Sequence, residues 1–181
     1  MLRITIPLEP ERWDEDKQEF IAPKTQTLLL EHSLVSISKW ESKWNRAFLS
    51  KKGMTTEETF DYIKFMTLSK NVDPEVYDHL TDENISEIKK YIEAPMTATV
   101  ISEDKNNKGN REVVTAELIY YWMIALQIPF ECQKWHLNRL LTLIKVCNIK
   151  NSPPKKRSKR DIMSRNTALN AARRKQLNTR G

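Results

Sequence analysis

The chain has 181 residues, with 30 Lys and Arg against 24 Asp and Glu, a formal net charge of +6. Its 39% apolar content excludes wholesale disorder and suits about one domain plus a remainder. No apolar run approaches the roughly 18 residues of a membrane helix, the start MLRITIPLEP lacks the blocks of a secretory signal, and two cysteines are too few for a disulfide scaffold.

Leu2 to Ile6 alternates apolar and polar residues and stops at Pro7, which predicts a short strand with one buried face. Glu19–Ile21 and Thr27–Leu30 are its candidate partners, with Asp14–Lys17 as a hairpin tip. From Ile37 the period changes. Ile37, Trp40, Trp44 and Phe48 fall three or four apart and make one helical stripe, either core or a partner-binding face. Thr55 with Glu58 forms a capping box for a helix whose Phe60, Ile63, Met66 and Leu68 share a face. Asp73 and Pro74 open a short helix through Val76 and Leu80. Thr81 caps the next, with Ile85, Ile88 and Ile92 inward, ending before Pro95.

Met96–Ser102 and Glu112–Val114 read as a β-hairpin around the turn 106–110. Thr115 then caps a helix over 117–127 whose Leu118, Ile119, Tyr121, Trp122, Ala125 and Leu126 cover most of its circumference, which predicts a central position. Pro129 begins the last helix of the body, through Val146, packed antiparallel on its predecessor. The expected fold is mainly α (α+β): a helical body over 1–150 with a few N-terminal strands and one hairpin near 96–114. Asn151-Ser152-Pro153-Pro154 forms a hinge. A basic arm follows over 155–181, expected to be frayed or disordered alone and helical on binding.

Charge follows that division. Residues 155–181 hold ten basic residues and one acid, a net +9, while the preceding 154 hold 20 basic and 23 acidic residues, a net −3. Lys155, Lys156, Arg157, Lys159, Arg160, Arg173, Arg174 and Lys175 are the cationic candidates for binding a phosphate backbone or a protein partner. The arm carries no aromatic residue between Ser152 and Gly181, which disfavours single-strand stacking.

Catalytic chemistry finds little support. Cys132 and His136 lie four apart on an expected helix, but Cys147 is fifteen residues past Cys132. A structural zinc takes about four ligands and a catalytic one about three, so the bland assignment, buried cysteines and a satisfied histidine, is preferred. No signature marks a Cys–His nucleophile pair, and three glycines supply no phosphate loop. The expectation is a protein without cofactor, metal or catalytic residue.

Four segments and the chain's ending carry a family resemblance: Ser36-Ile37-Ser38-Lys39-Trp40-Glu41-Ser42-Lys43-Trp44, Ala94-Pro95-Met96-Thr97-Ala98-Thr99, Glu117-Leu118-Ile119-Tyr120-Tyr121-Trp122-Met123, Trp135-His136-Leu137-Asn138-Arg139-Leu140-Leu141 and Asn170-Ala171-Ala172-Arg173-Arg174-Lys175. Across its whole length the chain resembles the tail assembly chaperones of long-tailed bacteriophages and prophages. The resemblance implies a mostly helical, non-catalytic protein of the bacterial host cytoplasm. Such a protein coats the tape measure protein, recruits tail tube subunits and is absent from the mature virion. It also implies an exposed apolar groove, for which Trp40, Trp44 and Phe48 are the candidates. A programmed frameshift near Pro153-Pro154-Lys155-Lys156 would fit the same pattern. The alternatives are a nucleic-acid-associated phage protein using residues 155–181, and a structural head–tail or tail component. A homo-oligomer stands among the candidate partners, its order not legible.

Overall fold

The computed structural model describes residues 1–9, 12–14, 18–50, 52–101, 113–153 and 159–178. These fall into two compact units, 1–148 and 149–181. The first is mainly α with a few strands. β1 (Leu2–Pro7) pairs antiparallel with β4 (Thr25–Leu30), placing Ile4 opposite Leu28 and Leu2 opposite Leu30. Ile4, Ile6, Leu28 and Leu30 are all buried, as the alternation requires, while Thr5 and Thr27 meet on the other face through hydroxyls 3.2 Å apart. β2 (Arg12–Asp14) and β3 (Glu19–Ile21) form a separate ribbon, with Trp13 opposite Phe20. Glu19–Ile21 therefore pairs with its sequence neighbour rather than with β1. Residues 15–17 of the predicted tip lie outside the described residues.

α1 (Leu34–Trp44) starts at Ser33, whose Oγ accepts from the Ser36 N–H, and ends on Asn45 in the left-handed conformation. α2 (Thr56–Met66) carries the expected Thr55–Glu58 capping box. Leu68 lies beyond its end and is exposed, because the chain there lines the open edge of β4: the Leu68 N–H donates to the Leu29 carbonyl at 2.8 Å. A 3-10 helix, Pro74–His79, begins at the Asp73 cap, and α3 (Asp82–Glu93) at Thr81. α3 buries Ile88 and Tyr91, while Ile85 and Ile92 are half-buried.

The predicted hairpin near 96–114 is not found where the chain is described. Residues 96–101 and 113–115 form no strand, and 102–112 lie outside the described residues. Met96 takes a positive φ of 50° directly after Pro95, and the Thr97 hydroxyl accepts from the Thr99 N–H. Both features curl the backbone away from the extended form a strand requires.

α4 (Ala116–Ala125) is less central than its composition predicts. It packs chiefly on α1 and buries Ala116, Ile119 and Met123, while Tyr121 and Ile124 remain exposed. The predicted final helix of the body is also divided. Phe130–Lys134 is a 3-10 helix, and α5 (Leu137–Asn151) begins only after Trp135 and His136. The two helices are therefore joined by a longer connection than the proline alone predicts. Asn151 closes α5, Ser152 and Pro153 are non-helical, and Pro154 lies outside the described residues.

The second unit contains α6 (Lys159–Leu177), so the described part of the arm is helical. Every α6 residue whose burial is described is exposed.

Candidate functional site

Of the two readings of the aromatic stripe, core or partner face, Ile37 and Trp40 take the first. Trp40 is fully buried, with its Nε1–H donating to the Glu58 carbonyl at 2.9 Å and its ring 5.3 Å from that of Phe48. Phe48 packs in turn on Tyr62 at 4.3 Å. Trp40 therefore offers no surface to a partner. Trp44 and Phe48 are half-buried against the same core, and the buried Trp44 Nε1 has no hydrogen-bond partner among the described residues. A stripe spaced three and four residues apart specifies a helix face turned to the core, and here Ile37 and Trp40 are fully buried while Trp44 and Phe48 are half-buried at its edge.

Glu41 lies on that stripe, four residues after Ile37, and the sequence reading missed its role. It is buried, with Oε1 accepting from the Phe48 N–H at 2.8 Å and Oε2 from the Ala116 N–H at 2.7 Å. One carboxylate thus ties α1 to the following loop and to the N-terminus of α4, where the helix dipole favours a negative charge. The available signal was a charged residue at a helix position reserved for apolar ones.

A second buried polar centre gathers around two histidines. His32 hydrogen-bonds the Tyr62 hydroxyl, and its ring lies 5.0 Å from that of His136. His136 Nε2 donates to the Tyr91 carbonyl at 3.0 Å, and Nδ1 accepts from the Asn138 N–H. The Tyr91 hydroxyl donates to Glu31 Oε1 at 2.7 Å, and the Met1 amino group lies 3.0 Å from Oε2. Burial, with a smaller contribution from His136, lowers the His32 pKa to about 3. Burial likewise lowers that of His136, against the opposing effect of its bond to the Tyr91 carbonyl. The phenols of Tyr62 and Tyr91 shift upward through burial first and the Glu31 carboxylate second. The two imidazoles and the two phenols are thereby held neutral at pH 7, and they use their polar atoms on groups inside the body. They form an internal brace.

Cys132 and His136 do not share a helix. Cys132 sits in the 3-10 helix and His136 ahead of α5. Burial raises the Cys132 thiol pKa, the reverse of what a nucleophile or metal ligand needs. No group of three His, Cys, Asp or Glu residues able to hold a metal occurs among the described residues. No helix among them is long and apolar enough to cross a membrane.

An apolar concavity lies elsewhere. A cleft of about 290 Å³ opens between α4 and α5, lined by Leu49, Val114, Trp122, Leu141 and Ile144, with Lys145 and Asn148 as polar lining. Its volume suits one bulky side chain. A broader, more polar depression of about 490 Å³ shares Leu141 and Lys145. There Asn138 Nδ2 donates to the Ile92 and Ala94 carbonyls at 3.0 and 2.9 Å, fixing the end of α3 to α5. The sequence shows Leu141 and Ile144 as apolar helix residues. Their cleft is not legible, because it arises from the spacing between α4 and α5.

Of the cationic candidates, Lys159, Arg160, Arg173, Arg174 and Lys175 stand exposed on α6. Lys155, Lys156 and Arg157 lie outside the described residues. The helix offers cations around most of its circumference rather than on one face.

No family model matches the chain, no curated protein matches it, and no solved structure matches it.

Proposed function

We propose that the chain is a non-catalytic chaperone of bacteriophage tail assembly. In this proposal it holds the tape measure protein in the host cytoplasm and hands it to tail tube subunits. The cleft between α4 and α5 is the observation that carries the proposal. A helix laid in such a groove anchors through one or two large apolar side chains, and a tape measure segment presenting Leu, Phe or Trp would fill the site at Trp122, Leu141 and Ile144. The placement of the polar chemistry supports the same reading. His32, His136, Glu41 and Glu58 all bond groups within the body, which suits a protein that works by contact. The sequence resemblance supplies the identity of the partner.

The test is co-expression with the tape measure protein. Wild type is expected to keep it soluble and to co-purify with it. Leu49→Glu, at the half-exposed mouth of the cleft, is expected to leave it insoluble while melting like wild type. A tape measure protein that stays insoluble beside wild type would overturn the proposal.

A further inference from the structure

The sheet of β1 and β4 has two edges, and the described residues cover only the β4 edge. There Leu29 bonds the following chain with both backbone groups: its N–H donates to Ser69 Oγ at 2.9 Å and its carbonyl accepts from the Leu68 N–H at 2.8 Å. The Glu31 N–H likewise donates to the Met66 carbonyl at 2.9 Å. In an antiparallel ladder each residue turns its N–H and C=O to one side, and successive residues turn to opposite sides. The odd residues of β4 therefore face away from β1, while Leu28 and Leu30 face it. Their partners Ile4 and Leu2 are the hydrogen-bonded residues of β1. The same phase continues past the strand, where the Leu8 N–H donates to the Lys24 carbonyl at 2.7 Å.

Arg3 and Thr5 consequently turn both N–H and C=O outward, and Pro7 turns its C=O outward. All three residues are exposed, and among the described residues nothing bonds these outward groups. Ile4 and Ile6 are already buried, with α3 and the first 3-10 helix packed against β1. The apolar cover of the strand is thus complete, and what it lacks is a neighbour in the plane of the sheet. Such an edge is a template for one more strand.

We infer that β1 of a second copy of this chain is that strand, pairing antiparallel across a two-fold axis normal to the sheet and joining the two sheets into one. In a pairing of outward edges, residues with outward groups must meet one another. Arg3 opposite Arg3 would set like charges face to face. Thr5 opposite Thr5 would set Arg3 opposite Pro7, which has no N–H to give. An axis at Ile4 avoids both faults: Arg3 exchanges its two backbone bonds with Thr5 of the second copy, Thr5 does the same with Arg3, and Pro7 falls at the end of the ladder. The exposed and core faces of the two sheets then run continuously, with Ile4 beside Ile4 on the core side. An unrelated extended peptide is the weaker occupant. A strand added to an edge draws its specificity from side-chain pockets, and no β1 residue lines either cavity described above. The inference does not depend on the chaperone proposal, since it concerns backbone atoms outside that cleft and needs no phage partner.

The test uses full-length, nuclease-treated protein. Light scattering is expected to give the mass of two chains, halved on dilution and halved by Thr5→Pro at the concentration where wild type is paired. Proline at position 5 removes an outward N–H, which an edge strand tolerates, so the β1–β4 ladder and the circular dichroism spectrum are retained. A second readout needs no variant. Amide exchange followed by NMR is expected to slow at Arg3 and Thr5 as the two-chain fraction rises, with Ile4, already in the ladder with Leu28, slow throughout. A one-chain mass at every concentration would overturn the inference and leave the edge to a different strand. So would a two-chain mass that a folded Thr5→Pro leaves unchanged, or Arg3 and Thr5 amides that exchange fast in the two-chain species.

Discussion

The two units are both helical, but for different reasons. Each of α1 to α5 buries a stripe of its residues, and α1 to α4 start at a side-chain cap: Ser33, Thr55, Thr81 and Thr115. α6 buries none of its described residues and is rich in Ala, Leu, Lys, Arg and Gln, the strong helix formers. Helix in the body is imposed by packing, and helix in the arm by local propensity. The sharpest break in this comparison is Trp40→Ala. It removes the fully buried ring against which Phe48 packs and the hydrogen bond from Nε1–H to the Glu58 carbonyl. The expected cost is about 3–5 kcal/mol in denaturant unfolding of the body, with no change in the helix signal contributed by α6. A loss below about 1 kcal/mol would mean that Trp40 is not a centre of the core.

A smaller effect separates the units by pH. His32 has a folded pKa of about 3 against an ordinary 6.5, and that of His136 is shifted the same way. Above pH 6.5 both states leave His32 neutral and stability is full. As pH falls from 6.5 towards 3, the unfolded chain takes up a proton that the folded chain refuses, and stability drains away. At pH 5 the loss attributable to His32 is about 2 kcal/mol. Melting curves at pH 7.5 and pH 5 should show it for the body, and His32→Gln should flatten the slope. The exposed part of α6 whose burial is described contains no histidine, so its helix signal should pass through this range unchanged. A body that melts alike at both values would refute the assignment of a buried neutral His32.

The same contrast explains what could be read in advance. Local rules located β1, the caps Thr55, Asp73, Thr81 and Thr115, and the buried faces of α1 and α3, because alternation, capping and 3.6-residue periodicity act within a dozen residues; the Ser33 cap of α1 was not among them. They failed where position in space decides. Tyr121 and Ile124 look as apolar as Ile119 and Met123, yet only the latter pair faces the core. Composition cannot rank the two sides of a helix that is apolar all round. The break at Trp135–His136 escaped notice because no proline or glycine marks it. It is made by tertiary bonds: the Leu137 N–H donates to the His32 carbonyl at 2.7 Å, and His136 bonds Tyr91. The candidate cleft escaped notice for a related reason. Trp40 and Trp44 are the conspicuous residues, whereas Leu49 and Val114 lie in connecting segments with no periodicity to reveal them.

The smallest predicted effect sharpens the comparison most. Ala168→Gly lies in the middle of α6 at an exposed position. Where propensity alone holds a helix, glycine costs about 1 kcal/mol, so amide exchange through the middle of α6 should accelerate about fivefold. The unfolding midpoint of the body should stay where it is, because none of its buried contacts involves residue 168. The corresponding change in α3, Ser86→Gly, should lower the midpoint of the whole body, since that helix is held by Ile88 and Tyr91 and unfolds only with the core. If Ala168→Gly also moved the body midpoint, α6 would belong to the same cooperative unit. Its helix would then owe its existence to packing after all.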